Sequence, residues 1–374
     1  MKNMLKSAGA VFVLLLLILS SCDTDSSGRR KKEYLPAATG QFGQIILVMD
    51  SVAMKGAVGE AIEDVIESNY PVLPQPEPRF KVIHVTPKTF TASLLHQATI
   101  IRVYTSDNKS RGNALTKKAV PASIKNKLDN ANPGDYMSVA KDVYARGQEV
   151  VFFYGKTQEE LAGKIMVNAE VIQNYLNNRV KKRVIRDLYT KESKVEAFNI
   201  TKKFGASMRV PFGYKKAEEA EDFLWFRNPG QKIDKNFFMA SIPFTDESQL
   251  EPDAIVAWRD RLCKQHVLGS DDPNSYMETQ KILKPESRVV DFNGKYAVEI
   301  RGLWRLHEIA MGGTYVGYAI VDEAQKKLFY IEGFLYRPGG NKREMMRELE
   351  TILWTFRTSD QLPKGNTATK PQSK

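Results

Sequence analysis

The alternation of strand-like and helix-like runs changes character near residue 190, and that change constrains the fold more than any single motif. Before it, the two kinds of run take turns. Residues 44–49 (Gln-Ile-Ile-Leu-Val-Met) form a buried-strand run. Residues 54–69 place Val58, Ile62, Val65 and Ile66 on one helical face. Residues 80–85, 99–104 and 149–154 read as further strands, with a short helix over 90–96. A long helix from Gln158 aligns Leu161, Ile165, Ala169, Ile172 and Leu176. Pro71, Pro74, Pro76 and Pro78 exclude helix and favour an extended connector. Residues 107–135 are polar and read as loop plus a short helix.

After residue 195 the strands come in a row. A helix over 195–204 is followed by strands at 223–226, 237–242, 287–292, 296–304, 315–322 and 328–336. Asn293-Gly294 joins two of them as a hairpin turn, and a helix over 252–266 interrupts the series. Asn341, with Glu344 three residues on, is a candidate cap for a last helix that buries Met345, Leu349, Ile352 and Phe356. The expected fold is α+β with two domains, over 42–190 and 195–358, each a mostly antiparallel or mixed sheet with helices packed on it.

The start of the chain carries a different signal. Lys2 and Lys6 precede an apolar run over residues 8–19, which is shorter than the roughly 20 residues that span a bilayer core. Leu19-Ser20-Ser21-Cys22 closes it, and small residues before a cysteine resemble the bacterial lipobox. The expectation is a signal peptide over 1–21, a lipid-modified Cys22, a flexible tether over 22–41 and a disordered tail over 359–374. The place implied is the cell envelope, with the outer membrane facing the periplasm expected and surface exposure left open. Asp23, Asp25, Ser27 and Gly28 imitate the start of a calcium loop, but its twelfth position is Tyr34 instead of glutamate.

Residues 1–21 contain two lysines and no acid, so the 55 basic and 44 acidic residues of the whole chain leave a mature balance of +9. An exported basic protein is not expected to meet nucleic acid. Expected partners are the membrane, through the anchor, and either another envelope protein or an anionic envelope polymer. With Cys22 lipidated, Cys263 has no partner, so no disulfide supports the fold. The cations Arg179, Lys181, Lys182, Arg183 and Arg186 end the long helix, where they suit its dipole, and read as a solvated end.

Catalytic and metal signatures are fragmentary. His307-Glu308 begins like a zinc-protease helix, but Met311 stands where the second histidine belongs. Cys263 and His266 make half a zinc site. The four histidines, His84, His96, His266 and His307, are far apart in sequence. No Gly-x-Ser-x-Gly and no phosphate loop follows a strand, and no catalytic residue, metal or cofactor is expected. Gly339-Gly340-Asn341-Lys342 reads as a turn plus cap, or as amides presented to an anion. The most suggestive stretch is Arg301-Gly302-Leu303-Trp304. Arg301 and Trp225 are the candidate binding residues, lining a groove for sugars or partner side chains. The alternative is that Trp304 fills the core and Arg301 pairs with an acid. Alternation along 296–304 puts Trp304 on an apolar core face and Arg301, with Glu299, on a solvated or pocket face.

Several stretches together resemble an uncharacterised Bacteroidetes-type lipoprotein family, a domain of unknown function. They are residues 45–50, Pro74-Gln75-Pro76-Glu77-Pro78-Arg79-Phe80, Arg301-Gly302-Leu303-Trp304, Met311-Gly312-Gly313 and the closing helix over 342–350. The resemblance implies an envelope location and supplies no activity or catalytic residue. The second domain is also somewhat similar in architecture to the photosystem-P-type sandwich. The function expected is a lipid-anchored, non-enzymatic binding or envelope-assembly module. The alternative is an enzyme or small-ligand binder with a site between the domains.

The anchor makes a direct prediction. Cys22→Ala is expected to abolish labelling by a fatty-acid analogue and to release the protein from membranes. Unchanged membrane retention of the unlabelled variant would contradict it.

Overall fold

The computed structural model describes residues 35–130, 134–269, 272 and 274–363. The expected leader, Cys22, the tether as far as residue 34 and the tail beyond residue 363 lie outside these. Among the described residues no helix is long and apolar enough to cross a membrane. The protein is α+β, with one mixed and one antiparallel sheet. Its chain packs as two units, one from residues up to 61 together with 82–165, the other from 62–81 together with 166 onward.

The first unit holds the sheet β2-β1-β3-β5-β4, made of β1 (Gln44–Val48), β2 (Lys81–Val85), β3 (Thr99–Thr105), β4 (Met137–Lys141) and β5 (Glu149–Gly155). β1 and β3 run parallel, as do β3 and β5, while β4 is antiparallel to β5. Every residue of β3 is buried, as a central parallel strand covered on both faces must be. Its helices are α1 (Ser51–Met54), α2 (Ala57–Ile66), α3 (Arg111–Ala119), α4 (Ala122–Asn130) and α5 (Gln158–Val167). The chain passes into the second unit at Ile62, within α2, and returns at Val82, at the start of β2. Asp50 caps α1 and Ser110 caps α3 by accepting backbone N–H bonds. Several expectations need correction here. The stretch 107–135 contains two helices. Lys55 and Gly56 split the helix expected over 54–69. Ala37 and Thr39 bridge to Arg146 and Gln97, so the chain is held before residue 42.

The second unit is an antiparallel sheet in the order β10-β11-β12-β13-β8-β7-β6, with β9 also paired to β11. The strands are β6 (Lys215–Ala220), β7 (Phe223–Pro229), β8 (Asp234–Pro243), β9 (Met277–Thr279), β10 (Glu286–Asp291), β11 (Tyr296–Leu306), β12 (Gly312–Asp322) and β13 (Lys327–Tyr336). Asn293 and Gly294 both take positive φ, 57° and 82°, in the β10–β11 turn. Its helices are α6 (Ala169–Leu188), α7 (Lys194–Phe204), α8 (Pro252–His266) and α9 (Arg343–Leu353). The helix expected from Gln158 is interrupted at Asn168, which leaves helical dihedrals with φ −102° and ψ 22°. Residues 359–361 form a capped turn tied to Asp322, so the ordered chain extends past 358.

Alternation along the strands builds a core on each face of this sheet. On one face Phe204, Phe237, Val316, Ile331 and α9's Leu349 and Ile352 pack together. On the other, Val298, Ile300, Trp304, Tyr315 and Tyr330 pack against α8 through Ile255, Trp258 and Leu262. Asn341 does not cap α9. Glu77 does so from far away in sequence, its carboxylate accepting the Lys342 and Arg343 N–H groups at 2.5 and 3.2 Å. The anion that these amides meet is a side chain of the protein itself.

Beneath α8 lies a charged pair with no exposure at all. The Arg259 guanidinium donates from Nε and Nη2 to the two Glu332 oxygens at 3.0 and 2.9 Å, and Tyr330 donates to Glu332 at 2.7 Å. Gly302 and Gly317 leave room for the rings that cover it. A Cβ on Gly302 would stand 2.6 Å from the Tyr315 ring, and one on Gly317 2.2 Å from the Tyr330 hydroxyl. Glu332→Ala would leave the buried Arg259 with only the half-exposed Asp260, 3.0 Å from its Nη1, as a counter-ion. The expected loss is about 3–5 kcal/mol, read as a lowered urea midpoint with an unchanged slope. The double change Arg259→Met with Glu332→Leu is expected to recover most of it; a double variant as weak as the single would refute this account.

Candidate functional site

The candidate site grows from a detail of β11. Glu299 and Arg301 share one face of the strand, and both are buried, at 3% and 7% exposure. Of the two readings of this face, solvated or pocket-lining, the second holds: it is an enclosed charged layer beneath a cavity. Arg301 donates from Nε and Nη2 to the two Glu299 oxygens at 2.9 and 3.1 Å, and its Nη1 lies 2.6 Å from Glu350 Oε1 on α9. Tyr318 donates to Glu299 at 2.8 Å, Tyr70 donates to Glu350, and Arg288 on β10 donates to Glu299 at 2.7 Å. Burial opposes ionisation of Glu299, yet the Arg301 guanidinium overrides it and holds the carboxyl well below the usual carboxylate range. Burial, then the Glu350 charge, push the Tyr70 hydroxyl far up, so it stays protonated as a donor.

This layer floors a cavity of about 390 Å³, toward the small end of ligand pockets. Its walls come from α6 (Asn174, Asn177, Lys181), from α9 and its end (Arg347, Glu350, Trp354) and from the segment carrying Tyr70 and Arg79. Every lining residue belongs to the second unit. Lys181 is half-buried, and its ammonium sits 3.3 Å from the centre of the Trp354 ring. Burial pulls Lys181 down to about 8 against the opposing pull of Glu350 and Glu299. Arg347 is 4% exposed. It donates to Asn177 Oδ1 at 3.1 Å and to the Arg79 carbonyl at 2.5 Å, while its Nε has no acceptor. Burial lowers the affinity of Arg347 for its proton.

Of the two candidate residues, Arg301 sits on the cavity floor and Trp225 does not join it. Trp225 lies on the opposite face of the sheet, where its Nε1 donates to Asn236 at 3.0 Å and its ring packs on Phe334. Trp304 packs on the same Phe334, edge-on at 5.8 Å, inside the core. The groove expected from Arg301, Trp304 and Trp225 is therefore not formed. Arg301 is also paired with an acid, as the alternative reading required.

Residues 192–355 match the model of a domain of unknown function, DUF4837. Residues 38–189 match a second, DUF8532, also of unknown function. No curated protein matches the chain. Among solved structures, the 1.9 Å crystal structure of the Saccharomyces cerevisiae Ran-binding protein Mog1p is similar at 12% identity and a TM-score of 0.28, over 42% of this chain and 92% of that one. A point mutant of the protein Mog1 gives the same identity and score over 46% and 96%. At that score neither carries an argument about this chain.

The remaining candidates lie apart from the cavity. Cys263 is fully buried beside Arg259, and burial pushes its thiol far up. His266 stacks on Phe223 at 4.3 Å, and His307 on Tyr276 at 4.9 Å. Among the described residues no group of three or more His, Cys, Asp or Glu side chains is placed to hold a metal. Sequence reading missed the part played by Lys181 and Arg347. The clustered cations at the end of α6 were visible, but Lys181 turns to the cavity instead of solvent.

A desolvated lysine gives a pH signature. Lys181 binds its proton less tightly in the fold, at about 8, than at its ordinary 10.5. Between those values the unfolded chain holds more protons, so this group's contribution to stability rises with pH across that window. Below about pH 8 the charge weakens the fold. Lys181→Met is therefore expected to raise the thermal midpoint at pH 7, by a margin that shrinks toward pH 10. A margin constant with pH would mean that Lys181 is not desolvated.

Proposed function

We propose that the protein is a lipid-anchored, non-catalytic binding protein of the cell envelope, of the Bacteroidetes lipoprotein type, whose second unit receives a small ligand in the Arg301 cavity. The observation that carries the binding role is the locked floor. Glu299, Arg301, Glu350, Tyr70 and Tyr318 hold one another through short bonds, so their geometry exists before any ligand arrives. Preorganised polar groups around a cavity of this size are what a binding site requires. The anchor at Cys22 and the basic mature charge support the envelope location and an anionic partner there. A partner protein or an anionic envelope polymer would meet this surface through a group small enough to enter.

The test uses a plug. Asn178 lines the cavity and is exposed, so Asn178→Trp should close the mouth without entering the core. Purified full-length protein is screened by thermal shift against envelope-derived small molecules, neutral and charged. The expected result is a set of compounds that raise the midpoint of the parent and leave Asn178→Trp unmoved. If no compound stabilises the parent, or the plug makes no difference, the cavity is not a ligand site.

A further inference from the structure

The cavity of the second unit holds more cations than its own carboxylates satisfy. Five cationic side chains line it: Arg79, Lys181, Arg288, Arg301 and Arg347. Glu299 and Glu350 are taken up by Arg301, Arg288 and two tyrosine hydroxyls. The other two lining carboxylates, Glu170 and Asp291, are exposed, and Asp291 already accepts the Gly294 N–H at 2.6 Å. The Arg79 guanidinium donates to the Ser68 hydroxyl, at 3.4 Å. Arg347 has neutral acceptors and a buried Nε with none. Lys181 has the Trp354 ring and no oxygen partner. Arg347 and Arg301 repel both Arg79 and Lys181, while Glu350, already held by Arg301, attracts all three.

A buried or half-buried cation without a counter-ion is unfavourable unless something else supplies the charge. We propose that this cavity binds an oxyanion, the carboxylate or phosphate group of a small hydrophilic molecule, between Lys181, Arg79 and Arg347, with Arg301 as a fixed wall behind it. The inference rests on the binding role proposed above and names its ligand class. Guanidinium forks match the paired oxygens of such groups, and the ammonium adds a point charge. Glu299 and Glu350 already answer the charge of Arg301. The incoming anion therefore meets Lys181 and Arg347, which feel Glu350 without pairing directly with any carboxylate. Lys181 then weakens the free fold and strengthens the complex, as expected of a residue kept for binding.

The test is isothermal titration of the purified full chain at pH 7 and low ionic strength. The probes are inorganic phosphate, glucose 6-phosphate and glucuronate, with glucose as the neutral control and vesicles doped with phosphatidic acid as the lipid arm. At least one anionic probe is expected to bind and glucose is not. Lys181→Met should weaken that binding by about tenfold or more, about 1.4 kcal/mol, while its thermal midpoint does not fall. Lys181→Arg should retain binding. Binding by the free anions identifies a soluble ligand; binding by the vesicles alone identifies a lipid phosphate, and either supports the oxyanion. Equal affinity in Lys181→Met overturns the inference. Neutral compounds that bind and are blocked by Asn178→Trp, with no anion binding, overturn it while leaving the binding role intact. If neither class binds, both fall.

Discussion

Arg301 holds two carboxylates at once, Glu299 from its own strand and Glu350 from α9, and the shape of the second unit on that side depends on the arrangement. A guanidinium taken out of water needs its charge and its N–H groups answered together. Glu299 answers through two bonds and Glu350 through a third. Each carboxylate then recruits a tyrosine hydroxyl, Tyr318 from β12 and Tyr70 from the segment before Pro71. One side chain thereby ties a strand, its neighbour, a helix and a distant stretch of chain. Removing Arg301 would leave the buried Glu299 and the partly buried Glu350 without the cation that joins them, so the floor of the cavity exists only while Arg301 does.

The same sheet carries a second buried arginine on its other face, and the contrast explains why the cavity forms around Arg301 and not around Arg259. Arg259 and Glu332 satisfy each other through two bonds, with Tyr330, Tyr315 and α8 closing over them. That pair is complete and has no opening. Around Arg301 the pairing does not close, because α6 and α9 add Lys181 and Arg347, neither paired with a carboxylate, and the carboxylate that α6 brings, Glu170, is exposed. Buried ion pairs often add little net stability over a well-packed apolar core. Their use here is geometric on one face and chemical on the other.

Much of this fold was legible in the sequence, and the misses share a physical cause. Strands buried on both faces, such as β11 and β13, announce themselves as long runs rich in apolar and aromatic residues. β6 has the sequence Lys-Lys-Ala-Glu-Glu-Ala and is exposed along nearly all its length. It is a strand only because β7 offers it an edge, and its charges suit an outer strand. β4 and β9 are short and weakly patterned for the same reason. Arg301 was readable as a candidate from its place beside Glu299. The rest of the site was not, since Lys181 and Arg347 sit on helices whose charged residues look solvated in one dimension. Trp225 was misplaced because spacing cannot say that 225 and 301 point to opposite faces of one sheet.

The capping of α9 shows how far a local rule can be satisfied by a remote residue. A helix N-terminus needs acceptors for its free N–H groups, and the nearby Asn341 was the expected source. The segment 62–81 supplies them instead through Glu77, which is itself buried. The same segment gives the Val72 carbonyl to Thr314, the Arg79 carbonyl to Arg347 and the Tyr70 hydroxyl to Glu350. The prolines at 71, 74, 76 and 78 keep its part beyond α2 out of helix, so that its backbone and side chains can be spent on these distant partners. A piece of chain that looks like a linker is thus a wall of the cavity. A second unit cut at residue 192 would lose the cap of α9, the partner of Glu350 and an acceptor of Arg347 together, and those are the groups on which the site stands.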